Sequence, residues 1–257
     1  MTRLGGRDLR TIVGAATSPM HYTAALNIFR VVKRPANLLW RYLSGRGDYP
    51  RRIDLRTPTG PLALTAHCHD DILTVNEIFC RLDYRAGAND RIVVDFGSNI
   101  GVSAAYFLSR GSGGFAYLFE PLERNVQRLH GNLVPFAGRY AVEVCAVGGV
   151  DGPVDFGWEE TGRYGGLGVK TGRVITVECR RAGPLVEAII ARHGAIDILK
   201  VDIERQEEVI VEQIPPRLAS RIRKIYIEKT FKVVPFAETH HHTQRGPIAV
   251  FSLKTAA

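Results

Sequence analysis

The run VVDFGSNIG, Val93 to Gly101, followed by LFEP, Leu118 to Pro121, decides the fold of this chain. The first run is an apolar strand that delivers Asp95 at its tip and turns, through Gly97 and Gly101, into a helix. The second is an apolar strand that ends on Glu120. A doubly wound sheet holds an adenosine nucleoside in this way: glycines let the backbone approach the ligand, and an acid about 20 to 25 residues on accepts hydrogen bonds from the ribose hydroxyls. The spacing also discriminates between nucleosides. A dinucleotide fold uses G-x-G-x-x-G to seat a pyrophosphate on a helix N-terminus, whereas the pattern here is D-x-G-x-x-x-G, with Asn at position 99. An acid stands where a pyrophosphate would be repelled, so the favoured ligand carries no phosphate and has a cationic or amino end. S-adenosylmethionine meets both conditions, and a nicotinamide dehydrogenase is disfavoured.

Outward from these runs, strands and helices alternate. Strand 91–95, helix 100–110, strand 115–119, helix 122–134 and strand 140–146 predict two right-handed βαβ units. The glycine-rich interval Gly148 to Thr171 predicts a hairpin and loop, and its segment TGRYGGLG, Thr161 to Gly168, with Arg163 and Tyr164, reads as a lid over an acceptor. Helix 183–193, strand 196–201, helix 205–213 and strand 222–228 resume the alternation, and Ile248 to Leu253 supplies a last strand. Upstream, Ile53–Arg56 and Leu62–Thr65 form a hairpin turned by Pro58 to Pro61, and a helix starts at Asp71 with Ile72, Val75, Ile78, Phe79 and Leu82 inward. Residues 21–43 read as helical, with Leu26, Phe29, Val32, Leu39, Tyr42 and Leu43 at three- and four-residue steps and a break at Pro35. The fold class expected is α/β, a doubly wound Rossmann-like sheet with an N-terminal helical and hairpin extension.

The 257 residues suffice for one or two domains, and the net charge of +8 is unevenly placed. Residues 1–56 hold 11 Lys and Arg against 3 Asp and Glu, while residues 57–257 hold 23 of each. That asymmetry predicts a basic extension, 1–56, ahead of a ligand-binding domain, 57–257. The extension suits an anionic membrane surface, an acidic partner or nucleic acid; its helix, with Phe29, Leu38, Leu39 and Trp40, either lies on a membrane interface or packs on the neighbouring domain. Cys68, Cys80, Cys145 and Cys179 are widely separated and suggest neither a zinc site nor a disulfide framework. With no span of about 18 to 20 apolar residues and no signal-peptide core, the expected location is the cytoplasm, with peripheral membrane association through the basic segment.

The candidate ligand contacts on the first turn are Asp95, Gly97, Ser98, Asn99 and Gly101, with Glu120 as acceptor for the ribose hydroxyls. A second constellation, LKVDIERQE, Leu199 to Glu207, follows strand 196–201. Lys200, Asp202 and Glu204 alternate there at the carboxyl edge, where open α/β sheets bind ligands; a Lys–Asp pair alone would satisfy a purely structural role. Glu228 ends the strand IYIE at the same edge. The adjacent His240, His241 and His242 cannot all point at one ion, so no metal site is expected, but His240 is a candidate base.

In this order the motifs resemble the FkbM family of class I S-adenosylmethionine-dependent methyltransferases, mostly O-methyltransferases of sugars, glycolipids and polyketide or other natural-product hydroxyls. The resemblance runs from about Ile53 to Glu228. It is carried by DDILTVNEIF, VVDFGSNIG, FEPLERNVQRLHGN with Asn125 and Asn132 at the family's two asparagine positions, AVGG, and DILKVDIERQE. It implies S-adenosylmethionine as cofactor, with Pro121, Ala146, Val147 and Asp202 joining the first-turn residues around it. It also implies transfer of the sulfonium methyl to an acceptor oxygen, with Asp202, Glu204, Glu228 and His240 as candidates for the proton. Two positions depart from the family: Arg205 stands where K-x-D-x-E-G has glycine, and Val177–Glu178 stand where Leu-Asp is common. A nucleic-acid methyltransferase is the nearer alternative because of the basic segment, but the N-P-P-Y type motif for a flipped base is missing where VDIE stands. A non-catalytic module that kept the nucleoside pocket is the other.

Overall fold

The computed structural model describes residues 3–4, 7–8, 19–158, 165–167 and 173–254. Internal packing divides the chain into two compact units, Met1–Arg85 and Ala86–Ala257. The charge boundary at residue 56 lies inside a paired hairpin, so charge and packing divide the chain at different places.

In the first unit, α1 (Pro19–Val31) and α2 (Pro35–Ser44) are separate helices. Pro35 occupies the first turn of α2, where its missing N–H costs nothing, and Gly45 closes the helix in left-handed backbone at φ +66. The hairpin of β1 (Arg51–Thr57) and β2 (Gly60–Ala66) buries Ile53, Leu55, Leu62 and Leu64 on one face. Then α3 (His69–Val75) runs on through a π-type turn, Asn76–Arg81. Asp71 holds its start by accepting hydrogen bonds from the backbone N–H groups of His67 and Cys68 at 2.6 and 3.2 Å. Ile72, Val75, Ile78 and Phe79 are buried as the periodicity predicts.

Of the stripe expected on the leading segment only Val32 is buried and Tyr42 half-buried; the rest of the buried face is made by other residues. Ala24, Ile28, Val32 and Leu38 are buried, whereas Leu26 and Phe29 are 63% and 64% exposed and Trp40 is 52% exposed. Both sets recur at helical spacing on α1, so periodicity alone does not choose between them; packing against β1 and the turn Asn76–Arg81 does.

The second unit is built on a sheet of order β5-β4-β3-β10-β11-β13-β12. Its strands are β3 (Ile92–Phe96), β4 (Phe115–Phe119), β5 (Tyr140–Glu143), β10 (Ile196–Val201), β11 (Ile222–Ile227), β12 (His240–Arg245) and β13 (Ile248–Leu253). The strands from β5 to β11 are parallel, and β13 runs antiparallel to both its neighbours. From β3 the chain winds outward through α4 (Val102–Leu108), β4 and α5 (Glu123–Asn132) to β5. It returns through α6 (Ala182–His193) to β10, on the other side of β3, and then through α7 (Glu207–Glu212) and α8 (Pro216–Ala219) to β11. The order therefore reverses between β3 and β10, the position at which doubly wound sheets open a ligand crevice. Ile196, Ile198, Leu199 and Val201 are all buried, because a parallel sheet is covered on both faces.

A smaller sheet, β8-β7-β9-β6, fills the glycine-rich interval. It comprises β6 (Ala146–Gly148), β7 (Gly152–Trp158), β8 (Gly165–Leu167) and β9 (Arg173–Arg181). β9 has no counterpart in the sequence reading: only Val177 and Cys179 of its side chains are buried, which is too short an alternation to stand out. β12 likewise replaces an expected histidine loop. It is an edge strand of polar residues, made a strand by its pairing with β13 rather than by any apolar pattern. Thr161–Tyr164 and Gly168 of the expected lid lie outside the described residues. The four cysteines are thiols, and among the described residues no helix is long and apolar enough to cross a membrane.

Candidate methyltransferase site

The turn after β3 is held by main-chain bonds to the next strand. Gly97 and Ser98 both donate from their backbone N–H to the Phe119 carbonyl, at 3.1 and 3.0 Å. Ser98 Oγ donates to the Asp95 carbonyl at 2.9 Å and accepts from Phe119 N–H at 3.2 Å. Gly97, Asn99 and Gly101 have φ of +84, +48 and +82. The glycines answer to the protein's own packing: a Cβ on Gly97 would lie 2.1 Å from the Asp202 carbonyl oxygen, and one on Gly101 would lie 3.0 Å from Leu129 Cγ.

Asp95, expected to touch the ligand, is fully buried behind this turn. One oxygen accepts from Ser103 Oγ at 2.5 Å and the other pairs with Lys200 Nζ at 2.9 Å, across the register that places Lys200 of β10 beside Asp95 of β3. Burial raises the Asp95 carboxyl, while Lys200 and Ser103 act to lower it. Lys200 also donates to the Gly97 carbonyl at 3.1 Å and pairs with Asp202 at 3.1 Å. Burial would pull its ammonium down, but the Asp202 and Asp95 carboxylates outweigh that and hold it above its ordinary value. Asp95 is thus a positioning residue, and Lys200, read before only as a possible pair, ties both turns together. Ser103, absent from the sequence reading, was marked only as a polar residue in the apolar helix VSAAYFL.

Glu120 stands at the end of β4 beside the turn. Its Oε2 accepts from Asn99 N–H at 2.9 Å and its Oε1 from Leu122 N–H and Asn125 Nδ2 at 3.1 and 3.2 Å. Burial pushes its carboxyl up to about 7 despite these donors. The two family asparagines acquire distinct duties: Asn125 orients Glu120, and Asn132 Nδ2 braces the turn by donating to the Ile100 carbonyl at 2.9 Å. Pro121 is half-buried next to Glu120. Ala146 and Val147 are buried on β6, with Val147 in the main core and Ala146 packed near Leu122 and Phe156.

At the ends of β10 and β11, Asp202, Ile203, Glu204, Glu207, Glu228 and Lys229 border a cavity of about 320 Å³. Asp202 N–H bonds to the Phe96 carbonyl and Glu228 N–H to the Val201 carbonyl, both at 3.1 Å, which fixes the two acids at one edge. Glu207, not singled out from sequence, is buried, and burial raises its carboxyl. Arg205 has φ +66, which explains why the family carries glycine there. His240 is not at this edge. It is buried at the start of β12, with Nε2 bonded to the carbonyl of Ile222, the first residue of β11, at 2.9 Å and Nδ1 to Thr239 Oγ1 at 2.8 Å. Glu228 follows the far end of that strand, so His240 is a packing residue and no candidate base. Among the described residues no group of three or more His, Cys, Asp or Glu is arranged to hold a metal.

The FkbM methyltransferase domain model matches residues 95–245, more than half the chain and every element of the crevice. The chain belongs to the FkbM methyltransferase family. The family's methyl donor is S-adenosylmethionine. Its donor set fits here: Glu120 and the Asn99 turn flank the switch point on one side, and the carboxylate of Asp202 offers a negative partner to a cationic group on the other. No curated protein matches the chain. Among solved structures, an rRNA methylase from Streptococcus thermophilus shares 10% identity over 65% of this chain and 89% of its own, at a TM-score of 0.39. The mitomycin 7-O-methyltransferase MmcR shares 10% over 99% and 74%, at 0.35. A proposed RNA methyltransferase from Pyrococcus horikoshii shares 13% over 55% of this chain and 50% of its own, at 0.31, so the FkbM chain spans half that protein's length. These likenesses say nothing of this chain's acceptor.

Proposed function

We propose that this FkbM methyltransferase methylates a hydroxyl on a sugar, glycolipid or polyketide-type natural product. The observation that carries the reading is the carboxylate-lined cavity at the ends of β10 and β11, next to the nucleoside turn. When bound, S-adenosylmethionine supplies an activated methyl group on a sulfonium. Glu120 would accept from its ribose hydroxyls, the backbone of Gly97 to Gly101 would line its nucleoside and methionine portions, and Asp202 would offer a negative partner to its cationic end. Glu204 or Glu228 takes the proton of the acceptor hydroxyl on a carboxylate oxygen, while the cavity walls align that hydroxyl for in-line attack.

Full-length protein incubated with methyl-labelled S-adenosylmethionine and a panel of hydroxylated sugars, glycolipids and polyketides tests the reading by transfer of label to oxygen. On a proven acceptor, Glu204→Gln is expected to leave cofactor affinity intact and to lower turnover by about 10² to 10⁴-fold. Near wild-type turnover in both Glu204→Gln and Glu228→Gln would remove the carboxylate base from the scheme.

The reading extends to a peripheral membrane contact. It is supported by the basic balance of residues 1–56 together with exposed Tyr22, Leu26, Phe29 and Trp40 on α1 and α2. Sedimentation with anionic vesicles is expected to fall steeply as salt rises, since surface attraction is screened over about 8 Å at physiological ionic strength. Salt-independent sedimentation, or none, counts against it.

A further inference from the structure

The first unit encloses a cavity of about 460 Å³ whose polar wall is made by Arg34, Arg41, Arg51, Arg52 and Asp54. Four arginines and one acid thus border it, and that acid, Asp54, already pairs with Arg52 at 2.9 Å on the face of β1 opposite Arg51 and Ile53. Arg41 is only 6% exposed. Its Nε donates to Asn37 Oδ1 at 3.3 Å and its Nη1 to the Asp48 carbonyl at 3.0 Å, neutral acceptors that orient the group without balancing its charge. Its place is built into the backbone: Gly47 has φ +130, and a Cβ there would lie 2.1 Å from Arg41 Nη1. Arg51 carries a buried Nε that finds no acceptor. Of the buried acids described in this unit, Asp71 gives one oxygen to the N–H groups of His67 and Cys68, and Asp83 is paired with Arg81.

A buried guanidinium with no carboxylate partner is costly, because the charge loses its hydration without a counter-charge to replace it. Here the uncompensated charge of Arg41 borders a cavity, beside a second guanidinium, that of Arg51, whose buried Nε finds no acceptor. We infer that this cavity is a binding site for a phosphate group. Guanidinium forks match the tetrahedral oxygens of phosphate in pairs, and a dianion suits several cations better than a single carboxylate does. The cavity is larger than a phosphate ion, and its other walls include Val32, Leu38 and Ile53, so the phosphate enters as part of a larger molecule: a phosphorylated metabolite or a phospholipid headgroup. The residues that line it all belong to the first unit.

Titration calorimetry of the full chain with inorganic pyrophosphate and glycerol 3-phosphate, and sedimentation with phosphatidylcholine vesicles containing phosphatidic acid, test the inference. Saturable binding of at least one probe is expected, weakened about tenfold or more in the Arg34→Gln/Arg51→Gln double variant. Arg41→Gln is expected to behave likewise if it folds; the double variant, which leaves Arg41 in place, keeps the test valid if it does not. S-adenosylhomocysteine affinity is expected to stay within about twofold in the double variant, separating a local loss from general unfolding. Binding of the soluble phosphates assigns the site to a metabolite, and arginine-dependent binding of the vesicles alone assigns it to a headgroup. The inference is overturned if no probe binds, if sulfate and acetate bind as tightly as pyrophosphate, or if the double variant binds unchanged.

Discussion

Two turns meet at the carboxyl edge of the large sheet, and both pass through left-handed backbone. In the turn after β3, glycine occupies two of the three positive-φ positions and asparagine, the next most tolerant residue, the third. In the turn after β10 the position at φ +66 is Arg205. The first turn is closed around its neighbours, with a backbone oxygen 2.1 Å from where a Cβ on Gly97 would stand. The second is exposed at Glu204 and Arg205, and absorbs the strain of an arginine at about 1 to 2 kcal/mol. The turn after β3 is therefore constrained by the protein's own packing. The turn after β10 keeps a non-glycine residue, Arg205, in left-handed backbone.

The group common to both turns carries the largest expected effect. Lys200→Met leaves Asp95 charged and buried without its partner and releases both the Gly97 carbonyl and Asp202; destabilisation of about 3 to 5 kcal/mol is expected in denaturant titration. A loss below about 1 kcal/mol would show the two turns to be independent. Gly97→Ala comes next, with about 2 to 4 kcal/mol expected from the backbone collision and the left-handed φ together. If S-adenosylhomocysteine bound normally to a stable Gly97→Ala protein, the claim that packing constrains the first turn would be broken.

Glu120 sharpens the comparison through pH. Its carboxyl is raised from the ordinary 4.5 to about 7 by burial, so between those values the folded protein binds more protons than the unfolded chain. Stability is expected to fall as pH rises through that window, by at most about 1.4 kcal/mol per pH unit from this group. Glu120→Gln should flatten the slope of melts taken from pH 5 to 8. Ribose hydroxyls donating to the ionised carboxylate would lower its pKa. Ligand binding near pH 6.5 is therefore expected to release a proton, seen as a heat that changes with buffer ionisation enthalpy and vanishes in Glu120→Gln. The smallest effect belongs to the strained turn: Arg205→Gly is expected to stabilise by about 0.5 to 1 kcal/mol, the relief of left-handed strain being partly offset by the greater freedom of the unfolded chain. Unchanged cofactor affinity alongside altered turnover would place Arg205 on the acceptor side.

Most of the sheet was legible in the chain. Strands β4, β10 and β13 fall on the residues predicted for them, and β3 within one, because apolar runs of five or six residues bounded by glycine, proline or charge specify buried parallel strands locally. The edge acids Glu120, Asp202 and Glu228 follow, since a residue just past a strand end must sit at the sheet's rim. What the sequence could not convey is where a side chain is spent. Asp95 and Glu120 look alike as acids after apolar strands, yet one is consumed by Ser103 on the next helix and by Lys200 from a strand remote in the chain, and the other turns toward Asn99 at the crevice.

The sequence by itself thus determined the nucleoside turn, the strand that ends on Glu120 and the family, since each depends on residues within a short run and their spacing. Tertiary structure alone decided which face of α1 is buried, that His240–Arg245 is a strand, that His240 packs under β11, and that Gly97 makes room for Asp202 as well as for any ligand. Each of these depends on a partner outside the run itself, from the hairpin neighbour β13 for His240–Arg245 to Asp202 for Gly97, and neither periodicity nor propensity carries information about a neighbour that only folding supplies.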